Sequence, residues 1–233
     1  MDDEELVIMP IRSTFKDIAN ALREVYDDPE IEVAPNEIAD YVADIPEQGA
    51  GGQTDATTII KGTVRKVLNT TATFVKSYTF AFCSSLTTVT LPEASKIGES
   101  VFESCPKLRG LSFPKCEFID NYAFRYCTGL SKISFPECIS INSYAFSGCS
   151  SLYSLYLPKC EYINTGAFQN CSISELSLPA VKMISGNAFT GTNNRIDVIS
   201  FPNCEFISAA VFNSLNKSTV TEISLPKAQI ISL

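Results

Sequence analysis

The 233-residue chain contains no histidine and no tryptophan, and only three methionines. Without histidine there is no imidazole to act as a general base, to activate a serine or cysteine nucleophile, or to ligate a metal. Charged residues are also scarce, at 19%, and no apolar run approaches the roughly 18 residues that span a bilayer. These absences argue against histidine-dependent enzymes and against a membrane-spanning helix. Hydrophobic residues still make up 45% of the chain, enough for a sizeable core.

Charge is distributed unevenly along the chain. Residues 1–50 contain 14 acidic and 3 basic side chains, whereas residues 51–233 contain 12 acidic and 15 basic ones. The first part would be repelled by a phosphate backbone, and the second part is nearly neutral with its bases dispersed. We therefore expect no binding to nucleic acid. The contrast also predicts two regions of different structure.

Most of the chain is a repeat with a period of about 22 residues. Seven prolines keep this spacing, and a column of phenylalanines keeps step with them. The prolines are Pro92, Pro114, Pro136, Pro158, Pro179, Pro202 and Pro226, and the phenylalanines are Phe80, Phe102, Phe124, Phe146, Phe168, Phe189 and Phe212. A repeat of this length is typical of a solenoid, in which each unit is stable only because its neighbours cover it.

Each unit contains one stretch with the alternating pattern of a half-buried strand. In one unit Ile133 and Phe135 face one way, while Lys132 and Ser134 face the other. A proline ends each strand, and an isoleucine about five residues later marks a second inward position. The Ala-Phe pair that follows opens a short segment on the far side, because the period leaves no room for a long helix. We predict a right-handed leucine-rich-repeat solenoid with a parallel β-sheet on one face and turns or short 3₁₀ segments on the other.

All nine cysteines fall in two columns of this repeat. The first column, three residues after the phenylalanine, is Cys83, Cys105, Cys127, Cys149 and Cys171, and the second, two residues after the proline, is Cys116, Cys138, Cys160 and Cys204. A metal site has poor support, because there is no C-x-x-C spacing and no histidine. Disulfides between neighbouring rungs satisfy the Cα distance, but parallel side chains suit the disulfide dihedral badly and nine is an odd number. We favour thiols that pack in the core as small hydrophobes beside the phenylalanine column.

The unit A-F-x-x-C-x-x-L-x-x-I-x-[LF]-P-x-C-x-x-I resembles the BspA-like leucine-rich repeats of bacterial surface proteins, over about residues 75–233. The resemblance implies a ligand-binding or adhesive scaffold, and it carries no catalytic residues with it. We therefore expect no enzymatic activity and no cofactor. Catalysis by carboxylates alone would need a pair in a cleft, whereas Glu175, Asp197 and Glu222 lie on different rungs of an open sheet.

Outward positions of the predicted strands are mostly small hydroxyl residues, and one patch interrupts them. Lys132, Tyr153, Tyr156 and Glu175 combine aromatic area with opposite charges. Tyrosine is a frequent contact residue because it buries a large area at small entropic cost. We take these four residues as a candidate binding site for a protein or a glycan. The alternative is that serine and threonine simply solvate a flat sheet.

One column that follows the prolines alternates in charge along the stack. Glu93, Lys115, Glu137 and Lys159 stand at equivalent positions of successive units, so neighbouring rungs carry opposite charges. We expect lateral ion pairs worth about 0.2–1 kcal/mol each. Their role would be to hold the register of the rungs rather than to bind a ligand.

The chain is expected to have four parts. Residues 1–46 form an acidic module of two short helices, because apolar residues recur at helical spacing before and after a loop at Asp27–Pro29. Residues 47–58 form a glycine-rich linker. Residues 59–79 form a degenerate rung that caps the repeats, and residues 80–233 hold seven repeat units, of which the last is incomplete.

The front module carries a second resemblance. Its pattern, T-F-x-x-I-A-x-A-L-R followed by P-x-x-I-A-x-x-V-x-x-I over residues 11–46, resembles a short helical segment found in structural proteins of phages and prophages. The acidic stretch between the two halves departs from the commoner loop of that segment. The resemblance implies a role in assembly or docking for the front module.

Together these features predict a non-enzymatic binding or adhesion scaffold. The segment at 11–46, and an acidic start where a secretory leader would be basic, favour a phage or prophage structural or receptor-binding component. A secreted or cell-surface BspA-like adhesin is the alternative, and a structural spacer without a ligand is a remote one. We expect an extracellular, cell-surface or virion location. The last unit stops at Leu233 without a polar terminal repeat, which predicts either a truncated chain or end-to-end self-association.

Overall fold

The computed structural model describes residues 64–68, 72–192, 196, 198–208, 210–213, 220–228 and 230–231. The two-helix module predicted for residues 1–46, the linker at 47–58 and the first part of the predicted cap lie outside these residues. The part of the chain that is described contains strands and turns but no helix. Within it, accordingly, no helix is long and apolar enough to cross a membrane.

Sixteen short strands alternate in two series along the described residues. The odd-numbered series follows the predicted alternating pattern and consists of β1 (Lys66–Leu68), β3 (Thr88–Thr90), β5 (Gly110–Ser112), β7 (Lys132–Ser134), β9 (Ser154–Tyr156), β11 (Leu176–Ser177), β13 (Val198–Ser200) and β15 (Glu222–Ser224). The even-numbered series contains the isoleucine column and consists of β2 (Phe74–Val75), β4 (Lys96–Ile97), β6 (Phe118–Ile119), β8 (Ser140–Ile141), β10 (Tyr162–Ile163), β12 (Met183–Ile184), β14 (Phe206–Ile207) and β16 (Ile230–Ile231). Each turn of the coil therefore contributes one strand to each series.

Wherever strands pair, each runs parallel to the equivalent strand of an adjacent rung. The even-numbered strands form one eight-stranded sheet in the order β16-β14-β12-β10-β8-β6-β4-β2. The odd-numbered strands form three shorter ladders, β1-β3-β5, β7-β9 and β11-β13-β15. This arrangement confirms the predicted parallel solenoid of the leucine-rich-repeat type.

The prediction of a single sheet was incomplete, because the isoleucine column belongs to a second and more continuous sheet. Its strands are only two residues long, so they are too short to display a period of two in the sequence. They are recognised instead by their rung-to-rung hydrogen bonds. Beyond the strand ends, for example, the amide of Gly98 donates to the carbonyl of Val75 at 3.0 Å.

The third side of the coil consists of hydrogen-bonded turns, one of the two conformations predicted there. Alternate amides donate to the next rung, as from Phe102 to the carbonyl of Ala123 at 2.7 Å. Two positions per unit have a positive φ, such as Tyr122 at 59° and Tyr126 at 60°. A 3₁₀ helix needs consecutive bonds from residue i+3 to residue i, whereas here such bonds alternate with bonds to the next rung, as at Arg125 and Tyr126, so the described turns contain no 3₁₀ helix.

Columns of equivalent residues fill the interior of the stack. The phenylalanine rings are fully buried and stacked, with centroids 5.2 Å apart for Phe102 and Phe124, and 5.0 Å apart for Phe124 and Phe146. Phe168 continues the stack at 5.4 Å from Phe146. The cysteine columns and the isoleucines of β4, β6, β8, β10, β12 and β14 are buried beside them. On the outside, the expected ion pairs form, with Lys115 bound to Glu93 and Lys159 to Glu137, each at 2.5 Å.

A polar ladder links the ends of four even-numbered strands. The side-chain amide of Asn164 donates to Oδ1 of Asn142, and the amide of Asn142 donates to Oδ1 of Asp120, both at 2.9 Å. The other carboxylate oxygen of Asp120 forms an ion pair with Lys96 at 2.9 Å. Each half-buried polar group is thus satisfied by the neighbouring rung.

Replacement of Asn142 by alanine is expected to lower the free energy of unfolding by about 1–2 kcal/mol, because its side chain makes three hydrogen bonds and each of the three half-buried partners loses one. Urea denaturation would measure the change. The control is Asn121→Ala, which removes one exposed bond, from the amide of Ser143 to Oδ1 of Asn121. An equal loss of stability in both variants would contradict the importance of the ladder.

Candidate binding surfaces

The four residues of the predicted patch lie on neighbouring rungs of the odd-numbered series. Lys132 opens β7 and Tyr156 closes β9, and these strands pair so that Ser134 lies opposite Tyr156. The ammonium of Lys132 lies 5.6 Å from the ring centroid of Tyr153. An exposed cation–π contact of this kind contributes about 0.5–1 kcal/mol. The structure therefore brings Lys132 and Tyr153 together at one end of β9.

The other two patch residues are held less closely. Tyr156 is 58% exposed and Tyr153 is 41% exposed, so both rings offer apolar area to solvent. Glu175 is exposed just before β11. Its neighbour Ser174 donates its backbone amide to the carbonyl of Tyr153 at 3.2 Å, which places Glu175 on the rung next to Tyr153. The four side chains thus share one surface across three rungs.

A second aromatic surface, on the turn side, was not found by sequence reasoning. Tyr122 and Tyr144 stack with ring centroids 5.6 Å apart. The guanidinium of Arg125 lies 4.5 Å from the centroid of Tyr126 and 5.3 Å from that of Tyr122. Arg125 also reaches the carboxylate of Glu103 at 3.5 Å. The turns are therefore a packed surface and not merely connections.

The tyrosines on this side are positioned by glycines of the following rung. Gly148 has a φ of +75°, and a Cβ there would lie 2.4 Å from a ring carbon of Tyr126. Gly166, with a φ of +63°, lies in the same way beneath the ring of Tyr144. Only glycine supplies both the left-handed backbone and the space for the ring. The sequence carries a signal for this packing. Tyr126 and Tyr144 stand at the same repeat positions as Gly148 and Gly166, one unit earlier.

A third surface, here named the aromatic row, lies on the eight-stranded sheet. It consists of Phe74, Phe118, Tyr162 and Phe206, which are 37–48% exposed. The signal for it is the tetrapeptide C-E-[FY]-I at residues 116–119, 160–163 and 204–207, which recurs at 44 residues, or two rungs. Sequence reasoning aligned single units of about 22 residues and so missed this double period.

The cysteines do not contribute reactive groups to any of these surfaces. All nine are buried thiols. In the first column the thiol of Cys127 donates to the carbonyl of Phe102 at 3.0 Å, and the thiol of Cys149 donates to that of Phe124 at 3.1 Å. Burial raises the pKa of Cys116 to about 12 and raises the pKa of Cys149 well above the ordinary value. These groups are neutral at physiological pH and therefore poor nucleophiles and poor metal ligands.

Among the residues that the structure describes, no group of three or more acidic or cysteine side chains is arranged to hold a metal ion. The described surfaces offer instead aromatic rings, hydroxyl groups, amides and paired charges on a rigid backbone. Such an arrangement is suited to recognition of another molecule by contact.

Stacked parallel rungs with buried leucine, isoleucine, phenylalanine and cysteine columns define a leucine-rich-repeat solenoid. The model of the BspA type leucine-rich repeat region matches this chain in six copies, over residues 64–159 and 117–232. Since these matches cover most of the chain, the protein belongs to the BspA-type leucine-rich repeat family. The resemblance that its repeat unit indicated is thereby confirmed.

Solved structures with the same architecture are found among bacterial proteins. The leucine-rich repeat protein of T. pallidum is 29% identical, with a TM-score of 0.53 over 64% of this chain and 70% of that one. A leucine-rich cell surface protein of Faecalibacterium prausnitzii is 19% identical, with a TM-score of 0.50 over 70% of this chain and 65% of its own length, and shows the fold alone. A search of curated proteins gave no match. The phage-like segment at 11–46 lies outside the family match and outside the described residues, so that resemblance gains no support.

Proposed function

We propose that the protein is a non-enzymatic binding module that presents the patch of Lys132, Tyr153, Tyr156 and Glu175 to a protein or glycan partner. The observation that carries the proposal is the pair of exposed tyrosines at the two ends of β9, with the ammonium of Lys132 held over the ring of Tyr153. Repeat proteins of this family are general binding scaffolds, which supports a contact role over a catalytic one.

The patch is suited to binding because its backbone is fixed before a partner arrives. Strands β7 and β9 are hydrogen-bonded to each other, and the amide of Tyr153 donates to the carbonyl of Ser131 at 3.0 Å. Beneath them Ile133 is buried in the core. A preorganised surface loses little conformational entropy when it binds, so more of the contact energy appears as affinity.

The surface of a bacterial cell is the location that we favour. The F. prausnitzii relative is described as a cell surface protein, and the family match agrees with an extracellular or surface role. The competing hypothesis of a phage structural protein depends on the segment at 11–46 and on the acidic start of the chain, and the comparisons offer no support for that segment. A cell-surface BspA-like adhesin is therefore the better interpretation of the repeat region.

The test is a binding screen of the full-length protein against arrays of glycans and immobilised extracellular matrix proteins, followed by affinity measurement on each positive partner. Replacement of Tyr153 and Tyr156 by alanine is expected to weaken binding at least tenfold, since exposed aromatic anchors dominate such contacts. The control is Tyr78→Ala, an exposed tyrosine on the turn side. Unchanged affinity of the double variant would refute the patch, and a wild-type protein that binds nothing would favour a structural spacer.

A further inference from the structure

The rings of the aromatic row recur at a fixed interval along the eight-stranded sheet. Ser140 is the register partner of both Phe118 and Tyr162, and Met183 is the partner of both Tyr162 and Phe206. The rings therefore stand on every second rung. With neighbouring strands about 4.8 Å apart, equivalent rings are separated by about 9.6 Å. Such a periodic array of exposed rings differs from the scattered single apolar residues of ordinary surfaces.

The backbone that carries the aromatic row is fixed by buried side chains of the same strands and by hydrogen bonds to the neighbouring strands. Each ring residue is followed by an inward isoleucine or valine of the same strand, such as Ile119 after Phe118 and Ile163 after Tyr162, and these are completely buried. The strands between β2 and β16 are hydrogen-bonded to a neighbour on both sides. The positions of the rings are thus set by the backbone of the stack before any ligand arrives.

The charge beside the aromatic row is acidic. A glutamate precedes the ring residue on three of its rungs, at Glu117, Glu161 and Glu205, and these side chains are exposed or half-buried. The basic side chains on the intervening rungs are paired with acids, Lys96 with Asp120 at 2.9 Å and Lys182 with Glu161 at 2.8 Å. This balance disfavours polyanions such as nucleic acids and sulfated glycans.

We propose that the aromatic row binds an extended, neutral β-linked polysaccharide. Aromatic faces pack against the apolar C–H faces of pyranose rings, and carboxylates accept hydrogen bonds from sugar hydroxyls. In an extended β-linked chain the same sugar face recurs at every second sugar. The distance between two such faces is close to the distance between rings that stand two rungs apart on this sheet. The repeat of the rings therefore matches the repeat of the ligand.

A protein partner fits this side of the molecule less well. An added β-strand needs a free sheet edge, whereas the rings lie on the face of the sheet. A helix or a second copy of the chain would need contiguous apolar area, but Lys96 and Ser140 interrupt the row. The proposal extends the binding function to a second side of the coil and rests on the role of the protein as a binding module.

The experiment is calorimetric titration of the full-length protein with cellohexaose and chitohexaose, with maltohexaose as a control of different shape. We expect binding of at least one of the β-linked hexasaccharides and none of maltohexaose. Affinity should rise steeply between a disaccharide and a hexasaccharide, because only the longer ligand reaches a second ring. The variant with Phe118→Ala and Tyr162→Ala is expected to lose at least tenfold in affinity, and Tyr78→Ala, which removes an exposed ring from the turn side, to lose none. Circular dichroism and urea denaturation of each variant would verify that the solenoid is intact.

Three results would overturn the proposal. They are an absence of binding to both β-linked hexasaccharides, an affinity that the Phe118 and Tyr162 substitutions leave unchanged, and a dimer by light scattering that these substitutions dissociate. If the protein still binds a partner through the patch of Lys132, Tyr153, Tyr156 and Glu175, only the glycan proposal has failed. If neither surface binds any ligand, the proposed function has failed with it.

Discussion

Raising the pH from 8 to 10 is expected to destabilise the repeat region strongly, because its buried thiols resist ionisation only while the protein is folded. Six thiols have raised pKa values in the folded protein, and for five of them the rise is large, namely Cys105, Cys116, Cys138, Cys149 and Cys171. Hydrogen bonding to the thiol of the next rung is the first cause of the raised pKa for Cys105 and Cys138, and burial is the first cause for the other three.

The direction of the effect follows from proton linkage. In the unfolded chain a cysteine has a pKa of about 8.5. Below that value both states hold the proton, and the thiols do not make stability depend on pH. Above it the unfolded chain releases protons that the folded protein keeps, so each thiol lowers the free energy of unfolding by about 1.4 kcal/mol per pH unit. Five thiols together give a slope of about 7 kcal/mol per pH unit, compared with a total stability of about 5–15 kcal/mol for a typical domain.

Urea denaturation at a series of pH values from 7 to 10, in the presence of a reductant, would measure this slope. The variant with Cys149→Ala and Cys171→Ala is the control, since it lacks two of the five thiols and keeps the same lysines and tyrosines. Its stability at neutral pH is lower because of the cavities, but its slope above pH 8.5 should be shallower by about 3 kcal/mol per pH unit. Equal slopes, or rapid labelling of several native thiols at pH 8, would contradict the burial of the cysteine columns.

The repeat and its inward columns could be predicted because each rung repeats the same physical requirement. Phe124 occupies the place that Phe102 and Phe146 occupy in neighbouring units, so one pattern seen seven times identifies a core position. The same argument placed Lys132 and Tyr153 on adjacent rungs, where the structure brings them into contact. Sequence reasoning left the cysteines open between thiols and disulfides. The choice depends on the direction of the side chain, and in the structure Sγ of Cys127 points to the carbonyl of Phe102.

The second sheet and the aromatic surfaces could not be found in the same way. Strands of two residues, such as Phe118–Ile119, carry no internal period, and their pairing is decided by the register of whole rungs. The left-handed turn positions are also hidden, because Tyr122 and Tyr126 occupy a backbone region where glycine or asparagine would be expected. There the hydrogen bonds between rungs outweigh the local preference. The aromatic row becomes visible in the sequence only when the repeat units are aligned in pairs.

Replacement of Phe124 by alanine is expected to have the largest effect of any single substitution in the core, a loss of about 3–5 kcal/mol in the free energy of unfolding. The ring is fully buried at the centre of the stack. It packs against Phe102 and Phe146 in its own column and against Phe113 and Phe135 of the neighbouring strands, with ring centroids 5.0–6.3 Å apart. No side chain on either neighbouring rung can move into the space without leaving its own column.

The matched control is Phe118→Ala, which removes the same ring from the aromatic row, six residues away, where 40% of the side chain is exposed. Its expected cost is below about 1 kcal/mol, since the ring is already partly in contact with solvent and its removal leaves no cavity in the core. Urea midpoints of the two variants measured side by side would give the difference. In a solenoid each rung is stabilised mainly by its neighbours, so a cavity at Phe124 weakens the coupling between the two halves of the stack. Similar losses in both variants would mean that the phenylalanine column is not what holds the rungs together.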